Sequence, residues 1–430
     1  MGQLLFLELN EISFESVSFY CSKGKLPNFR ELIEEIGWSR TTSEQAYEHL
    51  EPWIQWVTAH TGLSFAEHGV FRLGDIVNRD LPQIWEMLED KGLKVGAISP
   101  MNAKHRLRNA AFFVPDPWTA TDCTAPRTLK QLSTAISQIV NDNTQSKLSF
   151  RSAAALLVGT CAYARVENYA RYAKLAAGAV TKKWKKALLL DLLLADVFVS
   201  QVRRTHPDFA TLFLNAGAHI QHHYMFHSAP YDGPARNPAW YAPPNADPVL
   251  EAYELYDHVV ATIRRAFPAA RIMLATGLHQ VPYGEVLYYW RLKDHGAFLK
   301  AIDVPFERAD PRMSRDFLIT CADERQAEVA ANRLRSAIAD DGQPLFEVDN
   351  RGRDVFVMFI YPRQIDETLC FRVGDERYFP IREHVAFVAV KNGEHDGTGY
   401  FLDIGAQKGS LPPEMPLKHI PQHIMSALSV

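Results

Sequence analysis

Cysteine is scarce in this 430-residue chain: Cys21, Cys123, Cys161, Cys321 and Cys370 are scattered, odd in number and form no Cys-x-x-Cys pair. That spacing argues against a disulfide framework. An excess of one charge is also missing. Lys and Arg total 46 against 50 Asp and Glu, a formal net charge of −4, so no polyanion-binding surface and no nucleic-acid partner is expected. Repeats and low-complexity tracts are absent, and the N-terminal apolar run is only Leu4–Leu7 before Glu8 intervenes, too short for a secretory signal. The expectation is a cytoplasmic protein. Lys182–Val199 joins a basic cluster to a strongly apolar stretch, but Asp191 and Asp196 interrupt it. It is too short and too charged to span a bilayer and reads as a buried helix with a basic start, peripheral membrane contact through 182–199 being the competing reading.

What is present suits a large core: 47% of the residues are hydrophobic and 22% charged. Gln3–Leu9 reads as a buried strand. In Leu26–Trp38 the apolar Phe29, Leu32, Ile33 and Ile36 recur at helical spacing. A helix at Leu81–Gly92 leads into a strand at Lys94–Ser99. The same rhythm returns with a strand at Ala210–Gly217, a helix at Pro248–Phe267 and a strand at Arg271–Gly277. Alternation of this kind predicts an α/β fold, a mostly parallel sheet flanked by helices on both faces, with a helical insertion and a small accessory lobe. The core is expected at 1–126, 205–299 and 384–430, the insertion at 127–204 and an accessory α+β lobe at 300–383.

In such a sheet, active-site groups gather at the carboxyl ends of the strands. Glu8, Asn10 and Glu11 end the first strand; AHIQHH, with His219, His222 and His223, follows Ala210–Gly217; His279 follows Gly277; His395 lies in a Gly-rich turn. Imidazoles drawn from distant segments are what Zn²⁺ or a similar borderline metal needs.

Several segments, in order, resemble the alkaline phosphatase superfamily, most closely its nucleotide pyrophosphatase/phosphodiesterase branch. LLFLELNEISFE resembles the family's first strand, which ends in a metal-binding Asp, and LPNFRELIEEIGW its P-N-hydrophobic-x-x-L helix. WVTAHTGLSFAEHGVF is similar to the T-G-x-x-P-x-x-H-G stretch after the nucleophile, LNAGAHIQHHYM to the D-x-x-G-H metal motif, and ATGLHQ to S-D-H-G. His395 with Gly399 resembles the terminal His-Gly segment.

The resemblance implies metal-binding histidines at His219 or His222, at His279 and at His395; both frames for the first fit and both stay open. It also exposes departures. Asn10 replaces the first Asp, Asn215 or Ala218 the second, and Leu278 the third. Pro52, with Glu51 beside it, stands where the family has a Thr or Ser nucleophile. A single divalent metal, Zn or Mn, held by the histidines with Glu51 as a carboxylate ligand is the implied site, with Glu51, Glu11 and Asn10 as candidate catalytic residues. Glu51 also reads as a helix-start residue, and Trp53 and Trp56 as cleft-lining or core aromatics. The implied function is a metal-dependent hydrolase of a small phosphate ester or phosphodiester, an anionic substrate. The alternatives are a pseudoenzyme that binds an anionic ligand and a biosynthetic transferase.

Overall fold

The computed structural model describes residues 2–141, 149–312 and 315–430, which form two compact units. The first runs to Pro282 and resumes at Gly393–Val430; the second is Tyr283–Asn392.

The first unit is built on an eight-stranded sheet. Its first six strands in chain order are β1 (Leu4–Leu9), β2 (Ser39–Thr42), β3 (Val95–Ile98), β4 (Phe112–Val114), β5 (Phe209–Leu214) and β6 (Arg271–Ala275). Across the sheet the order is Glu414–Pro416, β2, Thr398–Asp403, β6, β1, β5, β3, β4. Only Thr398–Asp403 runs antiparallel to its neighbours. β1 lies at the centre, parallel to β5 and β6, with Glu8 level with Phe213 on one side and Ala275 on the other. Every residue of β1 and β5 is buried. That explains their mostly apolar runs, since a strand covered on both faces has no solvent side to alternate toward, and the two polar exceptions, Glu8 and Thr211, bond to each other.

Helices cover both faces. On one, Leu5, Leu7 and Leu9 share a core with Phe14, Phe29, Tyr253, Tyr256 and Val260; on the other, Leu4 and Phe6 pack with Trp56, Trp85 and Ile424. The insertion consists of helices Arg127–Asn141, Phe150–Tyr163, Tyr169–Ala179 and Lys185–Thr205. It has no core of its own: Leu129, Leu132, Trp184, Leu188 and Leu192 belong to the core of β1. In Lys185–Thr205 every residue from Asp191 to Val199 is buried, which fits the expected buried helix. No helix among the described residues is long and apolar enough to cross one.

The second unit is an antiparallel four-stranded sheet, ordered Phe346–Arg351, Asp354–Phe359, Asp316–Thr320 and Arg308–Pro311, with helix Glu324–Arg335. Asp323 starts that helix by accepting the Gln326 N–H. Ala327, Ala331 and Leu334 share a separate core with Phe317, Ile319, Val355, Phe298 and Trp290.

Candidate metal centre

Beyond β1 the neighbouring strands still hold the chain. The Asn10 N–H donates to the Leu214 carbonyl at 3.0 Å and the Glu11 N–H to the Thr276 carbonyl at 3.0 Å. Glu11 then turns with φ of 61°, the left-handed region, which costs a non-glycine residue about 1–3 kcal/mol. Strain of that size persists only where the surroundings enforce it. Here the Gln221 amide donates to the Glu11 carbonyl at 2.7 Å and is itself fixed by the Tyr253 hydroxyl at 2.6 Å.

Gln221 lies on helix Ala216–Tyr224, which starts immediately after Asn215. Two of that helix's N-terminal amides are met from elsewhere: Ala216 N–H donates to the Asp191 carboxylate at 2.7 Å, and Gly217 N–H to the Tyr256 hydroxyl at 2.8 Å. Burial pushes the Asp191 carboxyl up to about 6. Asp191 thus joins the insertion to the histidine-bearing helix. Strand Val385–Asp396 brings the last element, and Gly393 eases its passage: a Cβ there would crowd the Gln280 amide oxygen and come within 3.1 Å of the Gln221 carbonyl.

These elements place three atoms together. Glu11 Oε2 lies 3.3 Å from His222 Nε2 and 3.2 Å from His395 Nε2, and the two Nε2 atoms are 3.2 Å apart. Among the described residues this is the one group of three such side chains that converges on a point. Glu11 is nearly fully buried, His395 mostly so, and the His222 side chain is 32% exposed. Burial alone raises a carboxyl pKa; the facing His395 and His222 outweigh it and hold Glu11 well below the usual carboxylate range. Asn10 Nδ2 donates to Glu11 Oε1 at 2.9 Å and Gln280 Nε2 to Glu11 Oε2 at 2.5 Å.

The far side of each imidazole also faces an acceptor. His395 Nδ1 is 3.6 Å from Glu51 Oε2, and His222 Nδ1 is 3.4 Å from the Gly393 carbonyl. With a cation between these atoms, each ring would keep its proton on Nδ1 and turn Nε2 to the ion as a lone pair, the usual arrangement behind metal-binding histidines. Ligand atoms around a tetrahedral ion with bonds of about 2.0–2.1 Å are roughly 3.3–3.4 Å apart. The three edges match that separation, so the donor set fits one borderline divalent ion.

The other residues singled out by sequence stand around this group. Glu51 occupies the N-cap position of helix Pro52–Thr61, where its side chain makes no capping bond. Burial, opposed by His395, raises its pKa. Asn10 is committed to neighbours: it donates to Glu11 and to Asn215 and accepts the Trp56 indole N–H at 2.7 Å. Trp56 is therefore a buried prop and lines no cleft. His279 turns Nδ1 to the Thr398 carbonyl at 2.6 Å, 3.5 Å from Asp396, outside the three-residue group. His219 is solvent-accessible and packs on His223 at 5.0 Å, also outside it. Glu8 is buried against His60 at 3.1 Å and accepts the Thr211 hydroxyl.

Sequence reasoning missed Gln221 and Gln280, the two amides that fix Glu11. The one available signal was position: Gln280 directly follows His279 near a strand end. A cavity of about 390 Å³ lies elsewhere, lined by Lys25, Asn28, Arg171, Asp257, His258 and Arg265 among others, and includes none of the three converging residues.

No protein-family model matches the chain, and no curated protein matches it. Among solved structures it is similar to phosphonoacetate hydrolase from Sinorhizobium meliloti 1021 in complex with phosphonoacetate, at 12% identity over 99% of this chain and 95% of that one, TM-score 0.45. It is similar to murine ectonucleotide pyrophosphatase/phosphodiesterase 5 at 10% identity over 100% and 95%, TM-score 0.41. It is also similar to alkaline phosphatase PafA at 11% identity over 100% and 96%, TM-score 0.43.

Proposed function

We propose that this chain is a metal-dependent hydrolase of a small phosphate ester or phosphodiester, working from a rebuilt one-metal site of Glu11, His222 and His395. The observation that carries the reading is the donor triangle with edges of 3.2–3.3 Å at the carboxyl end of β1. The sequence motifs supply the reaction class. A zinc or manganese ion held by these three atoms would supply Lewis-acid polarisation of a phosphoryl oxygen.

The chain's own residues have separable tasks. Glu11 supplies the negative charge that offsets the cation, and Asn10 and Gln280 orient its carboxylate. Glu51, 3.6 Å from His395 Nδ1, sets a negative charge behind that ring, a positioning role in place of the ligand role expected from sequence. With Pro52 where the family's hydroxyl nucleophile stands, transfer goes directly to water and leaves no phosphoenzyme.

Turnover of p-nitrophenyl phosphate and bis(p-nitrophenyl) phosphate, before and after chelation and with zinc or manganese restored, tests the reading. Expected is hydrolysis of at least one ester that chelation abolishes and metal restores. Metal binding with no turnover of either would favour a ligand-binding module; activity indifferent to chelation would remove the metal from the mechanism.

A further inference from the structure

The helical insertion breaks the usual patterning of a soluble surface. On helix Phe150–Tyr163 the outward residues are Phe150, Arg151, Ala154, Leu157, Val158, Cys161 and Ala162, one helical face with a single charge. Phe150 is 89% exposed and Leu157 67%. The opposite side is the packed one: a Cβ on Gly159 would meet Leu132 at 2.8 Å. Val166, Tyr169 and Val180, on and around the next helix, are exposed too, so most of the chain's large exposed apolar side chains fall within this short stretch. Concentration of this kind marks a contact surface, whereas scattered exposed apolar residues do not.

Charge identifies what covers it. Between Ser149 and Leu190 there are eight Lys and Arg against one acid, Glu167, in a chain whose net charge is −4. Lys185 is used internally, 2.9 Å from Glu251, but Arg151, Lys174, Lys183 and Lys186 are exposed. A second copy would bring the exposed basic side chains of this stretch against their own kind, which repels. An anionic bilayer offers both an apolar interior and complementary phosphates.

We propose that the outward face of helix Phe150–Tyr163, with the exposed side chains of Tyr169–Ala179, docks on an anionic membrane surface. Phe150, Leu157 and Val158 enter the boundary between headgroups and acyl chains, and Arg151 and the exposed lysines attract the lipid phosphates. The contact is peripheral and leaves the buried Lys185–Thr205 helix in place. It is independent of the metal-site reading.

The test is co-sedimentation of the full chain with vesicles of phosphatidylcholine alone or mixed with phosphatidylserine, at low and high salt. Expected is binding to the anionic vesicles only, weakened by salt. The double variant Leu157→Asp/Val158→Asp should bind at least about tenfold more weakly with unchanged thermal unfolding, and Arg151→Glu/Lys174→Glu should also lose binding. Absence of wild-type binding, equal binding to both vesicles, or a double variant that binds like wild type overturns the proposal. So does a concentration-dependent dimer, seen by light scattering, that Leu157→Asp abolishes; that result would assign the face to a second copy.

Discussion

The carboxyl end of β1 and the outer face of helix Phe150–Tyr163 break the rule of apolar inside and polar outside in opposite senses. At the first, the Glu11 carboxylate is buried and two imidazoles are turned toward it. At the second, Phe150 and Leu157 stand in solvent with one arginine among them. The buried charge is answered from every side by Asn10, Gln280, His222 and His395, because an uncompensated carboxylate there would be costly. Among the described residues the exposed apolar face has no comparable answer. One violation is answered by neighbouring side chains, at the group proposed to hold a metal; the other lies on the face proposed to dock on a membrane.

The comparison breaks most sharply at Glu11. Glu11→Gln should lower metal affinity by more than about a hundredfold, beyond the 10–100-fold typical of a supporting group; competition with a chromogenic chelator measures it. Glu51→Gln should fall within that 10–100-fold range and leave some metal bound. Gly393→Ala should destabilise by about 1–3 kcal/mol, the range for overpacking, since the added methyl meets Gln280 and Gln221; denaturant midpoints report it. Leu157→Asp should change stability by no more than about 0.5 kcal/mol, as expected of a surface position.

Acid titration sharpens the same contrast within the first unit. Glu11 is held below its unfolded value, so the folded protein binds fewer protons there. Its stabilisation is present above about pH 4.3 and is lost as pH falls below that. Asp191 is pushed up to about 6, so its effect has the other sign: between roughly pH 4 and 6 the folded state holds a proton that the unfolded state releases, and stability falls as pH rises. Unfolding midpoints across pH 3–7 for wild type, Glu11→Gln and Asp191→Asn should show Glu11→Gln losing less stability in acid than wild type, and Asp191→Asn a flatter decline from roughly pH 4 to 6.

Much of the fold was legible because burial on both faces writes itself as apolar runs. Leu4–Leu9, Phe209–Leu214 and Arg271–Ala275 could be read as strands, and Pro27–Glu35 as a helix from its periodicity. Strand ends then pointed to His222, His395 and Glu11. The choice between His219 and His222 was not legible, since three residues apart on a helix leaves both near one face; the approach of Gly393 and Glu11 separates them in space. Nor was the left-handed turn at Glu11, which no propensity of glutamate signals. Gln221 and Gln280 look like ordinary polar residues until their amides meet Glu11. In Phe150–Tyr163 an apolar composition reads as burial, and only packing reveals which side is left uncovered.

The most direct measurement is calorimetric titration of zinc into the metal-stripped full chain and its His395→Ala variant. The expected result is about one equivalent bound by wild type and none of comparable affinity by the variant. Wild-type protein that binds no zinc, or a variant that binds it as wild type does, would contradict a metal centre built from Glu11, His222 and His395.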